Sequence, residues 1–136
     1  MTSTFPPPLK CLPDLCRPVF DEYPAVRRAY VFGSVADGTA GPASDLDIAI
    51  VGPKGADRVT LTELGFELGA RLSELFRSDR IDVVVLNASD STELRHAVLA
   101  DGKVIFDRGD DLEAFERQIR HEYEDHRARL GRLGIR

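Results

Sequence analysis

Short apolar runs alternate with amphipathic stretches along the chain, and this pattern predicts its secondary structure. Four runs rich in β-branched and aromatic residues predict strands, at residues 28–32, 46–51, 80–86 and 103–106. Apolar residues at a spacing of three or four predict helices at residues 9–22, from Thr60 past Leu72, from Asp90 to Gly102, and from about Asp110 onward. The glycine-rich run from Gly33 to Ser44 predicts a turn that holds at most one helical turn.

Helix starts are predicted from capping-box patterns. Thr60-x-x-Glu63 and Asp90-x-x-Glu93 each place an oxygen-bearing side chain three residues before a glutamate, although the first helix could also start a few residues earlier. The resulting order is helix, strand, turn, strand, helix, strand, helix, strand, helix. That order predicts an α/β or α+β fold with a mostly buried sheet.

Composition narrows the class of protein. The chain has 136 residues, of which 43% are hydrophobic, and a net charge of −5. We expect a proline-rich, poorly ordered tail at residues 1–8 and a single domain at residues 9–136. No apolar run approaches the roughly 18 residues of a membrane helix, and no secretory signal is visible. Two cysteines are too few for a disulfide scaffold, so a reduced, cytoplasmic location is expected. The negative net charge argues against a protein that binds nucleic acid directly through an overall positive charge.

The candidate chemistry lies in three aspartates and one turn. Gly33-Ser34 ends the first strand, and Asp45-Leu46-Asp47 opens the second strand ten residues later. Because the chain has 14 aspartates, one Asp-x-Asp pair is expected by chance, and only its position makes this pair informative. Asp82 adds a third carboxylate inside an otherwise aliphatic strand.

The spacing of these aspartates suits a divalent cation. Residues i and i+2 of a strand share one face and lie roughly 7 Å apart at the backbone. With Asp82 from a third strand, Asp45 and Asp47 offer the oxygen ligands that magnesium prefers, while its other positions bind water or phosphate. Asp45 could instead cap a turn, and salt bridges to Arg28 or Arg80 could stabilise Asp47 and Asp82 without a metal.

These motif residues lie in two longer stretches, Val31-Phe-Gly-Ser-Val-Ala-Asp-Gly-Thr-Ala-Gly-Pro-Ala-Ser-Asp-Leu-Asp-Ile-Ala-Ile50 and Ile81-Asp-Val-Val-Val85. Together the two stretches resemble the minimal nucleotidyltransferase (MNT) family of the DNA polymerase β-like superfamily. The resemblance implies a nucleotidyltransferase fold, with a mixed sheet of four to five strands flanked by helices. It also implies that the protein is the antitoxin of an MNT/HEPN toxin–antitoxin pair, which transfers AMP from ATP to a tyrosine of a HEPN ribonuclease toxin.

Site roles also follow from the resemblance. Gly33 and Ser34 would hold the triphosphate, and Asp45 and Asp47 would bind two magnesium ions. Asp82 would bind one of these ions and help to deprotonate the acceptor hydroxyl. A chain of this size has little room for its own acceptor domain, so a partner protein, in a homo- or hetero-oligomer, is expected to complete the acceptor site.

One departure from the family pattern keeps other functions open. Many members carry an arginine soon after the Gly-Ser pair, whereas this chain has Val35, Ala36 and Asp37. A catalytically weak module that neutralises a toxin by occlusion is one alternative. Nucleotidyl transfer to tRNA or to a small molecule is another, although the acidic surface disfavours tRNA and the lack of a second domain disfavours a drug-modifying enzyme.

Overall fold

The four predicted strands form one mixed sheet in the order β3-β2-β1-β4. The structure is a computed structural model and describes residues 5–134. The strands are β1 Arg28–Phe32, β2 Leu46–Val51, β3 Ile81–Val85 and β4 Lys103–Asp107. β1 lies antiparallel to both β2 and β4, whereas β2 and β3 are parallel. The predicted α/β class and the four-strand count are confirmed.

Helices cover both faces of this sheet. They are α1 Leu12–Asp21, α2 Ser34–Asp37, α3 Arg58–Phe76, α4 Thr92–Asp101 and α5 Glu113–Arg132, with 3-10 turns at Leu9–Cys11 and Leu86–Ala88. The single helical turn allowed between the first two strands is α2. The parallel β2–β3 connection runs through α3, as parallel strands require a crossover.

Of the two capping-box predictions, the one at Asp90 was wrong, whereas α3 starts at Arg58, within the few residues before Thr60 that the prediction left open. Asp57 caps α3, since its carboxylate accepts the Thr60 amide at 2.8 Å. Ser91, not Asp90, caps α4, since its hydroxyl accepts the Leu94 amide at 3.1 Å. Both true caps lie within three residues of the predicted ones. Sequence spacing alone did not separate these neighbouring oxygen-bearing side chains.

The last helix also starts later than predicted, at Glu113 instead of near Asp110. Asp110 is engaged elsewhere, because the Arg27 guanidinium donates to its carboxylate through Nε at 2.8 Å and Nη2 at 2.7 Å. This bidentate ion pair holds the segment before α5 against the start of β1 and lowers the pKa of Asp110. The long-range contact, not the local pattern, sets where this helix begins.

Two apolar clusters hold the layers together, one on each face of the sheet. Alternation along β2 sends Leu46, Ile48 and Ile50 into the cluster shared with α1 and α3, where all three are fully buried. Ala49 and Val51 point to the opposite face and pack in the cluster that includes Val98 of α4. The face that carries Ala49 also carries Asp47, two residues earlier on the same strand.

The start of the chain packs where a tail was expected. Residues 1–4 of the predicted tail lie outside the described residues. Phe5 lies 6.2 Å from the Phe76 ring, and the Arg80 guanidinium lies 5.0 Å from the Phe5 ring centroid.

Across residues 5–134, no helix is both long and apolar enough to cross a membrane.

Candidate active site

Two of the predicted aspartates meet at one end of the sheet. Asp47 of β2 and Asp82 of β3 are register partners in parallel strands, so their side chains project from the same face. The pKa of Asp47 is raised, first by burial, then by the negative charges of Asp82 and Asp45, and by a side-chain hydrogen bond with Asp82. Two carboxylates held side by side repel each other when both are charged, so a cation bound between them would relieve that repulsion.

Asp45 contributes differently from the other two. It immediately precedes β2 and is exposed, and its charge acts on Asp47 without a direct bond. Among residues 5–134, no group of three or more His, Cys, Asp or Glu side chains is gathered closely enough to hold a metal ion. The structure therefore joins Asp47 and Asp82 directly and leaves Asp45 beside them.

The salt-bridge alternative for these carboxylates has no support in the structure. Arg28 pairs with Glu116 at 2.8 Å and with Asp107 at 3.3 Å, both away from the site. The Arg80 guanidinium donates to the Pro42 carbonyl at 2.7 Å. Within the described part of the chain, neither Asp47 nor Asp82 forms an ion pair with a basic side chain. Among the described residues, no cation therefore compensates their charge.

Gly33 is the residue that makes room for this pair. It follows Phe32, the register partner of Asp47, and has φ +72° and ψ −152°. A Cβ at this position would lie 2.5 Å from Oδ2 of Asp47, closer than two such atoms approach. Glycine is required here both for its backbone conformation and for the close approach of the carboxylate.

α2 occupies the place where many members of the resembled family carry an arginine. Ser34 begins this single turn, and the Asp37 amide donates to the Gly33 carbonyl at 3.1 Å. Val35 and Ala36 are buried in the core, where a guanidinium would be costly. Asp37 is exposed and accepts the Thr39 amide at 3.0 Å. The turn after the Gly-Ser pair therefore contributes apolar side chains to the core and no positive charge for binding phosphate.

Magnesium is implied by the resemblance, and the donor set fits it. Carboxylate oxygens are hard ligands, and magnesium is usually held by one or two carboxylates with water and phosphate in its remaining positions. Asp47 and Asp82 supply two such groups side by side, with no cation from the described residues to compete. Burial and the neighbouring negative charges raise the pKa of Asp47, and a divalent ion bound to both carboxylates would offset that repulsion.

Sequence reasoning missed two residues that hold the site in register. The Arg80 carbonyl accepts the Leu46 amide at 2.9 Å, and its guanidinium donates to the Pro42 carbonyl, so Arg80 ties β3 to the start of β2 and to the loop before it. At the other end, the Asn87 side chain exchanges two hydrogen bonds with the Gly52 backbone, at 3.0 and 3.1 Å. An arginine and an asparagine at strand ends carry no local signal of this role.

Comparisons with known proteins agree with this geometry. Residues 15–111 match the family described as polymerase beta, nucleotidyltransferase. The chain is 34% identical over 95 residues to the protein adenylyltransferase MntA of Shewanella oneidensis, and these residues make up 70% of this chain. That alignment spans 64% of the relative, just under two thirds of its length.

Solved structures show the same similarity. A chain of a toxin–antitoxin crystal structure with AMP-PNP has a TM-score of 0.67 and 29% identity, covering 88% of this chain and 90% of that one. A chain from the complex of a tri-AMPylated Shewanella oneidensis HEPN toxin with an MNT antitoxin has a TM-score of 0.62 and 25% identity. The match covers 91% of this chain and 93% of that one. The resemblance found in the sequence is confirmed, and the chain belongs to the polymerase beta nucleotidyltransferase family.

Proposed function

We propose that this chain is a magnesium-dependent adenylyltransferase that moves AMP from ATP to a tyrosine of a HEPN-domain toxin and thereby acts as its antitoxin. The observation that carries the proposal is the Asp47–Asp82 pair, which lies beside Gly33 and lacks a cationic partner among the described residues. The similar complexes, one with AMP-PNP and one with a tri-AMPylated HEPN toxin, support the substrate and the acceptor.

The chemistry divides among a few side chains. Asp47 and Asp82, with Asp45 beside them, would hold magnesium, which neutralises the triphosphate and the leaving pyrophosphate. Gly33 and Ser34 bind phosphate oxygens at the end of β1. Asp82 is exposed and takes the proton of the tyrosine hydroxyl. The hydroxyl oxygen then bonds to the α-phosphorus, the bond between that phosphorus and the oxygen bridging to the β-phosphorus breaks, and pyrophosphate leaves.

One observation favours a second candidate, neutralisation by occlusion alone. The turn after Ser34 buries Val35 and Ala36, so it offers the triphosphate no cation. A site with weakened phosphate binding could persist as a partner-binding module without turnover.

Mass spectrometry with nucleotide-binding measurements separates the two candidates. The acceptor to test first is a HEPN-domain protein encoded next to this chain. With MgATP, the wild type should add one or more AMP groups to a tyrosine of that protein, visible in its intact mass. Calorimetry should show AMP-PNP binding that strengthens with magnesium.

The double variant Asp45→Asn/Asp47→Asn removes two charges and keeps side-chain size. It should bind the toxin but add no mass to it, whereas Asp125→Asn on α5 is the charge control and should transfer AMP normally. If the double variant neutralises the toxin as well as the wild type, with no mass shift from either, occlusion is the function and adenylyl transfer is wrong.

A further inference from the structure

The outer edge of β3 is open in the structure. Among the strands of residues 5–134, β3 is the last in the sheet and pairs with β2 alone. Because the Leu46 amide donates to the Arg80 carbonyl, the backbone groups of residues 80, 82 and 84 face β2. The N–H and C=O groups of Ile81, Val83 and Val85 therefore face outward, and within residues 5–134 no strand pairs with them.

This edge has the properties of a strand-docking site. Three outward residues at alternate positions span roughly 13 Å, enough to pair with about five residues of an extended segment. The edge is valine-rich and has no proline, lysine or bulge that would prevent pairing, and proteins normally cover such edges. An extended segment would complete the hydrogen bonds that the sheet leaves open.

A groove beside the edge has space for the side chains of such a segment. It runs between β3 and α3 and is lined on the helix by Gly65, Phe66, Gly69, Ala70 and Ser73. The small residues let the helix lie close to the strand, so that a Cβ on Gly65 would lie 3.0 Å from Cγ2 of Val85. Phe66 is 77% exposed at the rim and offers an apolar contact that nothing in the described chain covers.

Charge indicates what kind of segment fits. Of the described residues that line the groove, Asp82 is the only charged one, and its side chain projects from the other face of β3, the face that carries Asp47. Glu63 is exposed on the adjoining turn of α3, so an added strand would have a carboxylate near it on each face. Neither has a basic partner between residues 5 and 134. A second copy of the chain would set these carboxylates against their own equivalents, and each copy carries a net charge of −5. A segment with lysine or arginine complements them.

We infer that the open edge of β3 binds an extended, positively charged segment of the toxin as a fifth strand, and that this pairing presents the acceptor hydroxyl to Asp82. The inference rests on the proposed function and adds to it the way in which the acceptor docks. A residue placed opposite Asp82 on the added strand has its Cβ roughly 5 Å from that of Asp82, on the same face of the sheet. A tyrosine there lies beside the Asp47–Asp82 pair.

Model peptides test the docking without nucleotide or magnesium. The probe is a nine-residue peptide in which threonine and lysine alternate around a central tyrosine, and its counterpart carries glutamate in place of lysine. The lysine peptide should bind at least tenfold more tightly by fluorescence anisotropy. Amide exchange measured by NMR should slow at least tenfold at Ile81, Val83 and Val85. Equal binding of the two peptides, or binding without that protection, would overturn the inference.

Val83→Pro is the decisive variant. It removes an N–H that points away from β2, so the β2–β3 ladder is kept while a fifth strand is blocked. Binding of the lysine peptide should weaken at least tenfold, whereas Val83→Ala keeps the N–H and should bind within twofold of wild type. Unchanged binding by Val83→Pro would refute strand addition.

Two exposed side chains provide variants that do not threaten the fold. Phe66→Ala and Glu63→Lys should each weaken lysine-peptide binding severalfold, and Glu124→Lys on α5 is the charge-matched control, expected to have no effect. If ultracentrifugation shows a dimer of the chain that Val83→Pro or Glu63→Lys dissociates, a second copy occupies the edge and the inference is wrong.

The toxin assay separates this inference from the proposed function. With an active wild type, Val83→Pro should raise the KM for the toxin at least tenfold. AMP transfer at the wild-type KM by that variant would refute the docking mode and leave the enzyme intact. If the edge binds the lysine peptide as described but the wild type transfers no AMP, the proposed function fails and the binding edge stands.

Discussion

Replacing Gly33 with alanine tests the geometry of the site most directly. Its backbone, at φ +72° and ψ −152°, lies in a region populated almost only by glycine, and placing an L-residue there costs roughly 1–3 kcal/mol. The new Cβ would also lie 2.5 Å from Oδ2 of Asp47, so the carboxylate must move by nearly an ångström. Since a misplacement of about 1 Å can lower a rate roughly 100-fold, we expect a similar loss of AMP transfer.

Gly55→Ala is the matched control for this substitution. Gly55 also has a positive φ, +83°, but a Cβ added there would meet no atom within 4 Å, so this variant carries the backbone cost without the contact. Urea unfolding should show Gly33→Ala to be the less stable variant, and only Gly33→Ala should lose activity and magnesium-dependent AMP-PNP binding. If the two variants match in unfolding free energy and in rate, the close approach of Gly33 to Asp47 does not position the carboxylate.

Three further predictions concern charge, reactivity and capping. A carboxyl whose pKa is raised by folding makes the unfolding free energy fall as the pH rises above its ordinary pKa of 3.8. Asp82→Asn removes one cause of the raised pKa of Asp47, so it should increase the unfolding free energy at pH 7 and make that free energy depend less on pH. Urea unfolding curves of the variant that match those of the wild type at each pH would contradict this prediction. Burial raises the pKa of Cys16 to about 12, so iodoacetamide at pH 8 should alkylate Cys11 first, as read by peptide mass mapping; equal rates would be inconsistent with the buried thiol. Ser91→Ala should lower the unfolding free energy by about 1 kcal/mol through loss of the α4 cap, and an unchanged urea midpoint would show that this cap is not formed.

Local pattern was enough to predict the strands and most of the helices. β1 and β2 have the predicted bounds, because alternation along a half-buried strand depends only on neighbouring residues. Helix starts were harder to place. Ser91 and Asp90 are equally good caps by residue type, and Arg27, 83 positions away, decides what Asp110 does. Such choices depend on which atoms meet in space.

The kinds of groups at the candidate site can be read from the sequence alone: a glycine turn, an Asp-x-Asp pair and a later aspartate in an apolar strand. The fold was needed to show that Asp47 and Asp82 are direct neighbours, that Asp45 lies beside them just before β2, and that neither Arg28 nor Arg80 pairs with them. Chemistry is carried by individual side chains and is visible in a sequence. Distance is set by strand register and by long-range bonds such as that of Arg80 to Pro42, and these arise only when the chain folds.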